Sequence, residues 1–235
     1  MTQDLIPKIG LLLVATNKYI SFVDQLVESA DKWFLSNCDV TYCIFTNNSK
    51  NINTTRSVNI FDIEHEDWPM PTLKRYDYFD KYAEYLKNFD YLYYCDVDMK
   101  FVDIVGGEIL GDLVATLHPG FWNKINIQFS YERRPECNAY IPYGNGNKYY
   151  AGGFNGGSSN KFLNMAKTIV SWRKEDEING IVPVWHDESY MNKYMYLNSP
   201  TKVLNPSYCY PESWDIPFEK RLLALDKNHN EMRSL

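Results

Sequence analysis

At 235 residues the chain is one large domain or two small ones with room for a substantial core, and 45% hydrophobic residues with interspersed charge exclude general disorder. A net charge of −6 argues against a nucleic-acid backbone as partner. Five cysteines, an odd number with no Cys-x-x-Cys pair, argue against a disulfide framework or a zinc site and for a reducing compartment.

From the N-terminus, Lys8 to Thr16 reads as a buried strand. Its apolar run, Ile9 to Ala15, is far too short to span a bilayer, and nothing resembles a signal peptide, so a soluble cytoplasmic protein without a transmembrane segment is expected. Ile20, Val23, Leu26, Val27, Ala30 and Phe34 fall at helical spacing. Val40 to Phe45 is a second strand, and the Asn- and Thr-rich loop after it makes the sequons at Asn47 and Asn53 a polar loop. Ser57 to Ile63 is a candidate third strand. The alternation points to a Rossmann-like α/β sheet, although no Gly-x-Gly-x-x-Gly follows the first strand.

Thr72 can cap a helix running to about Lys87, with Lys74 and Arg75 in its first turn. Cations are unfavourable there unless an anion is shared, so the choice lies between an anionic ligand and solvated surface charge. Tyr91 to Cys95 suits a strand buried on both faces, and it runs into Asp96-Val97-Asp98 at the edge where α/β sheets bind ligands. If that triplet stays extended, both carboxylates share one side, with Val97 turned inward. Such a pair repels itself unless a cation sits between, and hard oxygens suit Mg²⁺ or Mn²⁺ shared with a diphosphate. Alone, Asp-x-Asp is most often a solvated turn.

Leu113 to Leu117 is another strand, and half of the twelve glycines sit between Gly144 and Gly157. Ala151-Gly152-Gly153 either lets a bulky ligand approach the backbone or forms a bulge in a sheet. A helix is expected from about Ser159 to Arg173, and the next begins at Val184-Trp185-His186-Asp187-Glu188-Ser189. That acidic pair is either a solvated N-terminal turn or, with Trp185 and His186 beside it, part of a cleft. Val203 and Leu204 form a short strand, and the polar tail from Asp226 offers Lys227 and Arg233 to an anion or is disordered. The 16% aromatic content, including 19 Tyr, fits either a sugar-binding cleft or an aromatic core.

Several of these segments together resemble the retaining glycosyltransferases of family six, which include the blood-group A and B transferases. The matching runs are Asp96-Val97-Asp98-Met99, Thr116-Leu117-His118-Pro119-Gly120-Phe121, Tyr131-Glu132-Arg133-Arg134-Pro135, Ala139-Tyr140-Ile141-Pro142, Tyr149 to Phe154 and Trp185 to Ser189. The resemblance implies a GT-A fold in one catalytic domain. About 1–100 would form the nucleotide-binding half, about 101–225 the donor-sugar and acceptor half, and 226–235 a closing tail.

It also implies transfer of N-acetylgalactosamine or galactose from a UDP-sugar to the 3-hydroxyl of a galactoside or fucosylated galactoside, with retention and with Mn²⁺ or Mg²⁺. Val14, Ala15, Thr16 and Tyr19 match the uridine pocket. Trp68, Thr72, Arg75, Val97, Lys227 and Arg233 match nucleotide contacts, and Asp96 and Asp98 the metal ligands. Asp96, Ala151, Gly152, Gly153 and Asp187 match donor-sugar contacts. His118, Ser130 and Trp185 match acceptor contacts, and Glu188 matches both an acceptor contact and the catalytic carboxylate. The blood-group A enzymes have glycine where this chain has Gly153 and the B enzymes alanine, which implies a preference for N-acetylgalactosamine. No stretch matches the anchor and stem of vertebrate members, so a member like the short bacterial or phage ones is expected. Many bacterial members carry Asn in place of the Asp-x-Asp acids; this chain keeps both. Tyr208 to Phe218 aligns poorly, so Glu212, Trp214 and Asp215 carry no role over. The rival readings are another UDP-sugar donor on the same fold and a galactoside-binding protein without turnover.

Overall fold

The structure is a computed structural model that describes residues 6–233, with only the helical placement of Arg233 and not its side chain. Among the described residues ten strands are present: β1 Lys8–Val14, β2 Asp39–Thr46, β3 Val58–Asp62, β4 Tyr91–Cys95, β5 Met99–Phe101, β6 Leu113–Leu117, β7 Tyr150–Ser158, β8 Lys202–Leu204, β9 Tyr210–Pro211 and β10 Leu222–Ala224. The α-helices are α1 Val23–Trp33, α2 Met70–Leu73, α3 Arg75–Lys81, α4 Ala83–Leu86, α5 Ser159–Ile178, α6 His186–Leu197 and α7 His229–Arg233. Seven strands form one sheet in the order β3-β2-β1-β4-β7-β6-β8, and β5, β10 and β9 form a small second sheet. In the large sheet only β7 runs against its neighbours.

Alternation along the strands creates two cores. Leu11, Leu13, Tyr93 and Cys95 face α1, whereas Leu12, Leu92 and Tyr94 pack with residues of α3, α5 and α6 on the opposite face. The expected Rossmann-like sheet of the GT-A fold is therefore present, and β1 and β4 are its adjacent central strands. The chain leaves β1 toward β2 on one side and reaches β4 on the other, a switch point whose carboxyl edge opens a crevice.

Three elements differ from the sequence expectation. The helix predicted from Thr72 starts at Met70 and breaks at Lys74 and Tyr82. At both breaks the backbone tightens to three-residue bonding, Asp77 N–H to the Lys74 carbonyl and Tyr85 N–H to the Tyr82 carbonyl. The helix expected to end at Arg173 continues to Ile178. Its last inward positions, Arg173 and Asp176, are polar but buried, so the apolar stripe stops before the helix does. The tail beyond Asp226 carries α7, which rests on the 3-10 turn Asn17–Phe22, and the Lys18 ammonium donates to the Glu231 carbonyl. No helix among the described residues is long and apolar enough to cross a membrane.

Candidate active site

A cleft of about 570 Å³ lies outside the carboxyl ends of β1 and β4. The end of β1 and the turn after it supply Val14, Thr16 and Tyr19; the loop and helix after β3 supply Trp68, Thr72 and Arg75. Asp96, Val97 and Asp98 form the floor, Trp185 one rim, and Lys227 reaches in from the tail. These eleven sequence-predicted residues are thus brought together. Ala15 is fully buried behind them, and the Arg233 side chain lies outside the described part.

The conditional expectation of an extended Asp96-Val97-Asp98 does not hold. The segment turns, with Met99 N–H donating to the Asp96 carbonyl and Asp96 N–H to the Gly153 carbonyl at 2.8 Å. Both carboxylates nevertheless line the cleft. Burial and the Asp96 charge push the Asp98 carboxyl above its ordinary range, and an ion pair with Lys227 pulls it back. The two acids thus need a cation, and Lys227 supplies one from within the chain.

Mn²⁺ or Mg²⁺ fits this donor set in chemistry, since both groups offer hard carboxylate oxygens. Among the described residues no three His, Cys, Asp or Glu side chains gather that could hold a metal unaided. A metal here would therefore share its shell with ligand oxygens, as such ions do beside diphosphates.

Arg75 decides the alternatives left open for the first turn of its helix. It is 6% exposed, so it is not solvated surface charge. Its Nη1 lies 3.2 Å from Asp96 Oδ1 and donates to the Gly152 carbonyl at 3.2 Å. Its Nε is 2.9 Å from Asp187 Oδ2, out of line for a hydrogen bond, so this contact is coulombic. The guanidinium also stacks 4.2 Å over the Tyr94 ring. Burial disfavours the cation, but Asp187 and Asp96 outweigh it and hold Arg75 charged. Lys74, by contrast, turns away and pairs with Glu66 at 2.6 Å.

Beyond Arg75 the strand β7 meets helix α6. A bulge between Ala115 and Thr116 pairs Thr116 with Ala151 and Ala115 with Asn155, so residues 152–154 are extra on β7. The freed Gly152 N–H donates to Glu188 Oε2 at 2.8 Å, and the Tyr149 hydroxyl donates to Oε1 at 2.8 Å. One turn further along α6, the Asn192 amide accepts from Tyr150 N–H and donates to the Tyr150 carbonyl. Glu188 and Asn192 share a helix face, so this pair of contacts fixes the helix on the strand. Burial raises the Glu188 carboxyl to about 7, and the Gly152 N–H and Tyr149 hydroxyl oppose that rise. Burial also raises Asp187, with Arg75 opposing.

Ala151, Gly152 and Gly153 are buried beneath Asp96 and Glu188 rather than in the cleft wall. A Cβ on Gly153 would sit 3.0 Å from Asp96 Oδ2 and 3.4 Å from Cys209 Sγ. His118 follows β6, and its Nδ1 accepts the Gly120 N–H at 3.0 Å, which leaves the ring proton on Nε2. Burial lowers its pKa to about 4, so the ring is neutral at pH 7. Its ring lies 5.6 Å from that of Tyr149, which links it to Glu188. Ser130 lies between Phe129 and Tyr131 of an aromatic cluster, away from the cleft lining.

Sequence reasoning missed Tyr94, Tyr149 and Glu132. The Tyr94 hydroxyl donates to Asp96 Oδ1, and the period of two that relates Asp96 to its strand could have shown this. Glu132, 3% exposed, accepts Val184 N–H at 2.9 Å, while its partner Arg134 donates to the Val182 carbonyl at 2.7 Å. Burial alone would raise Glu132; the Arg134 side-chain and backbone donors and Val184 N–H bring it down to about 2. The pair pins the loop that delivers Trp185, His186, Asp187 and Glu188. His186 itself sits at φ +50, in the left-handed region, with its ring 5.1 Å from Trp68 across the cleft mouth.

The profile of glycosyltransferase family 6 matches residues 2–234. The histo-blood group ABO system transferase 1 of Rattus norvegicus is 38% identical over 238 residues, covering 96% of this chain and 68% of the rat protein. The globoside alpha-1,3-N-acetylgalactosaminyltransferase 1 of Gallus gallus is 35% identical, covering 96% and 69%. The O-antigen biosynthesis glycosyltransferase WbnI of Escherichia coli is 28% identical, covering 93% of this chain and 94% of its own length.

Proposed function

Because the chain belongs to glycosyltransferase family 6, we propose that it moves N-acetylgalactosamine, or galactose, from a UDP-sugar in α-1,3 linkage to a galactoside, with retention. The observation that carries this reading is the bridge made by Arg75. One buried guanidinium touches Asp96 on the diphosphate side and Asp187 and the Gly152 carbonyl on the sugar side. A UDP-sugar lying along the cleft would place its scissile bond beside that bridge.

UDP leaves only if its developing charge is neutralised. Among the described residues Arg75 and Lys227 bring cations to the cleft floor, and a metal on Asp96 and Asp98 would supply further Lewis-acid stabilisation. The Glu188 carboxylate, fixed on both oxygens, either attacks the anomeric carbon or stabilises positive charge that builds there. His118, neutral and protonated on Nε2, donates a hydrogen bond to the acceptor. Asp187 holds a donor-sugar hydroxyl and keeps Arg75 in register. The preference for N-acetylgalactosamine rests on the resemblance at Gly153, where the blood-group A enzymes also have glycine; Gly153 itself packs beneath Asp96.

The test is transfer from UDP-N-acetylgalactosamine, UDP-galactose, UDP-glucose and UDP-N-acetylglucosamine to plain and fucosylated lactosides. It is run after exhaustive chelation and again with Mn²⁺ restored. The expected result is Mn²⁺-dependent transfer of N-acetylgalactosamine. Transfer of a gluco-configured sugar would overturn the donor assignment, full activity after chelation would overturn the metal assignment, and acceptor binding with no turnover from any donor would overturn the enzyme reading.

A further inference from the structure

Tyr149 precedes β7 and is 2% exposed. A buried tyrosine hydroxyl needs a partner, and a satisfied core tyrosine would take any nearby carbonyl. This one takes Glu188 Oε1 at 2.8 Å, a carboxylate oxygen 39 residues away. The other oxygen, Oε2, takes Gly152 N–H at 2.8 Å. The two donors come from the same short stretch of chain and grip the two oxygens of one group. A carboxylate bonded through one oxygen turns about its last torsion; bonded through both, it is fixed in plane as well as in position.

The donor ring is itself held. Phe121 lies 4.6 Å from it, Tyr131 5.3 Å, His118 5.6 Å and Phe129 6.1 Å, measured between ring centroids. The Tyr149 carbonyl accepts His118 N–H at 2.9 Å. Tyr149 therefore joins the segment that carries His118 to the carboxylate on α6. The groups that face Glu188 electrostatically, Asp96, Arg75 and Asp187, belong to the donor side. Tyr149 takes Oε1, the oxygen not held by Gly152, and it carries no charge.

From this geometry, and resting on the reading of Glu188 as the catalytic carboxylate, we infer that Tyr149 is a positioning residue that fixes the plane of Glu188. Its ring, locked in the aromatic cluster, transmits the placement of the His118 segment to that carboxylate. Gly152 N–H holds the second oxygen but carries no side chain, so Tyr149 is the member of the pair that substitution can remove cleanly.

The experiment compares Tyr149→Phe, Glu188→Gln and Phe121→Leu in the full-length enzyme, with kcat and donor KM measured from pH 5.5 to 9. Tyr149→Phe keeps the ring in the cluster and deletes only the hydroxyl. The expected result is a kcat lower by roughly 10- to 100-fold at pH 7, as for a misplaced reacting group, with donor KM within about twofold. Loss of a donor to the ionised form also moves the acid limb of kcat to higher pH, so the deficit widens below pH 7. Phe121→Leu, which loosens the ring without touching Glu188, lowers kcat less but in the same pH-dependent way. A merely structural role would change the folded fraction and leave kcat per folded enzyme and its acid limb in place. A Tyr149→Phe enzyme with wild-type kcat and acid limb, beside an inactive Glu188→Gln, would overturn the inference alone. Full activity of Glu188→Gln would overturn the reading beneath it.

Discussion

The two ends of the site are built from different materials. Around Asp96 and Asp98 every close partner is charged or donates to a charge: Arg75, Lys227 and the Tyr94 hydroxyl. Around Glu188 the direct partners are neutral, a backbone N–H and a phenol, backed by a cluster of aromatic rings. At the first end Lys227 comes from the tail and, under the proposed function, could give way to a metal on Asp98, whereas Arg75 is buried and fixed. Neutral donors at the second end do not exchange; they hold one carboxylate in place while its protonation is shifted by burial. The contrast suits a reaction in which charge must be handed over at one end and a reacting group kept still at the other.

The largest test of this contrast removes the residue that joins the ends. Arg75→Met should cost about 3–5 kcal/mol of stability in urea unfolding, because it leaves the buried Asp187 without its counter-charge. A loss below about 1 kcal/mol would show that the ends are independent. Next, Glu188→Gln keeps shape and both donors' positions but removes the charge. It should lower kcat by about 100- to 1,000-fold while UDP affinity, which the proposed function assigns to the other end, stays the same. Parallel loss of UDP binding would erase the division.

The pH dependence of stability gives a smaller effect. Glu188 has a folded pKa of about 7, above its ordinary 4.5. Between these values the folded state binds more protons than the unfolded one, so stability falls as pH rises from about 4.5 to 7 and then levels. Glu188→Gln should remove about 1–3 kcal/mol of that fall, read as the difference in unfolding free energy between pH 4.5 and 8. An identical pH slope in wild type and variant would show the burial effect to lie elsewhere. The smallest effect belongs to Gly153→Ala. Its added methyl would crowd Asp96 Oδ2 at 3.0 Å, so Mn²⁺ affinity should fall roughly tenfold, by titration calorimetry, together with any shift toward galactose. A change in donor ratio with unchanged Mn²⁺ affinity would place the methyl group's effect on the sugar alone.

Much of the donor end was legible in the sequence because its residues sit at strand ends, where period-two patterns and apolar runs mark position. Lys8 to Thr16 and Tyr91 to Cys95 read as strands, and Asp96 and Asp98 follow directly. In pattern and spacing the Glu188 end shows only a short acidic run beside Trp185 and His186, and its expected role came from the family resemblance. Its partners Tyr149 and Gly152 lie 39 and 36 residues away, and a hydrogen bond over that separation leaves no local pattern. The breaks at Lys74 and Tyr82 were hidden because both flanking segments keep helical spacing. Strands β9 and β10 have two and three residues, too few for any periodicity. Arg75 was noticed for its unfavourable place, but that its counter-ions are the protein's own carboxylates depends on the packing of α3 against α5 and α6.

One feature of the large sheet bears on how this site comes to exist during synthesis. Strand β7 is inserted between β4 and β6, so β4 keeps an open edge until residues 150–158 have left the ribosome. Until then a nascent chain can pair β1 to β4 but presents Tyr91-Leu92-Tyr93-Tyr94-Cys95 as an apolar, aromatic edge to any other chain. A fragment ending at residue 145 should therefore sediment as aggregate, and the same fragment with Leu92→Lys should stay dispersed; equal solubility of the two would show that another surface drives association. The strand that brings Tyr149 and Gly152 to Glu188 is also the one that seals the nascent sheet, so the Glu188 carboxylate gains its grip in the same step that makes the half-made protein safe from its neighbours.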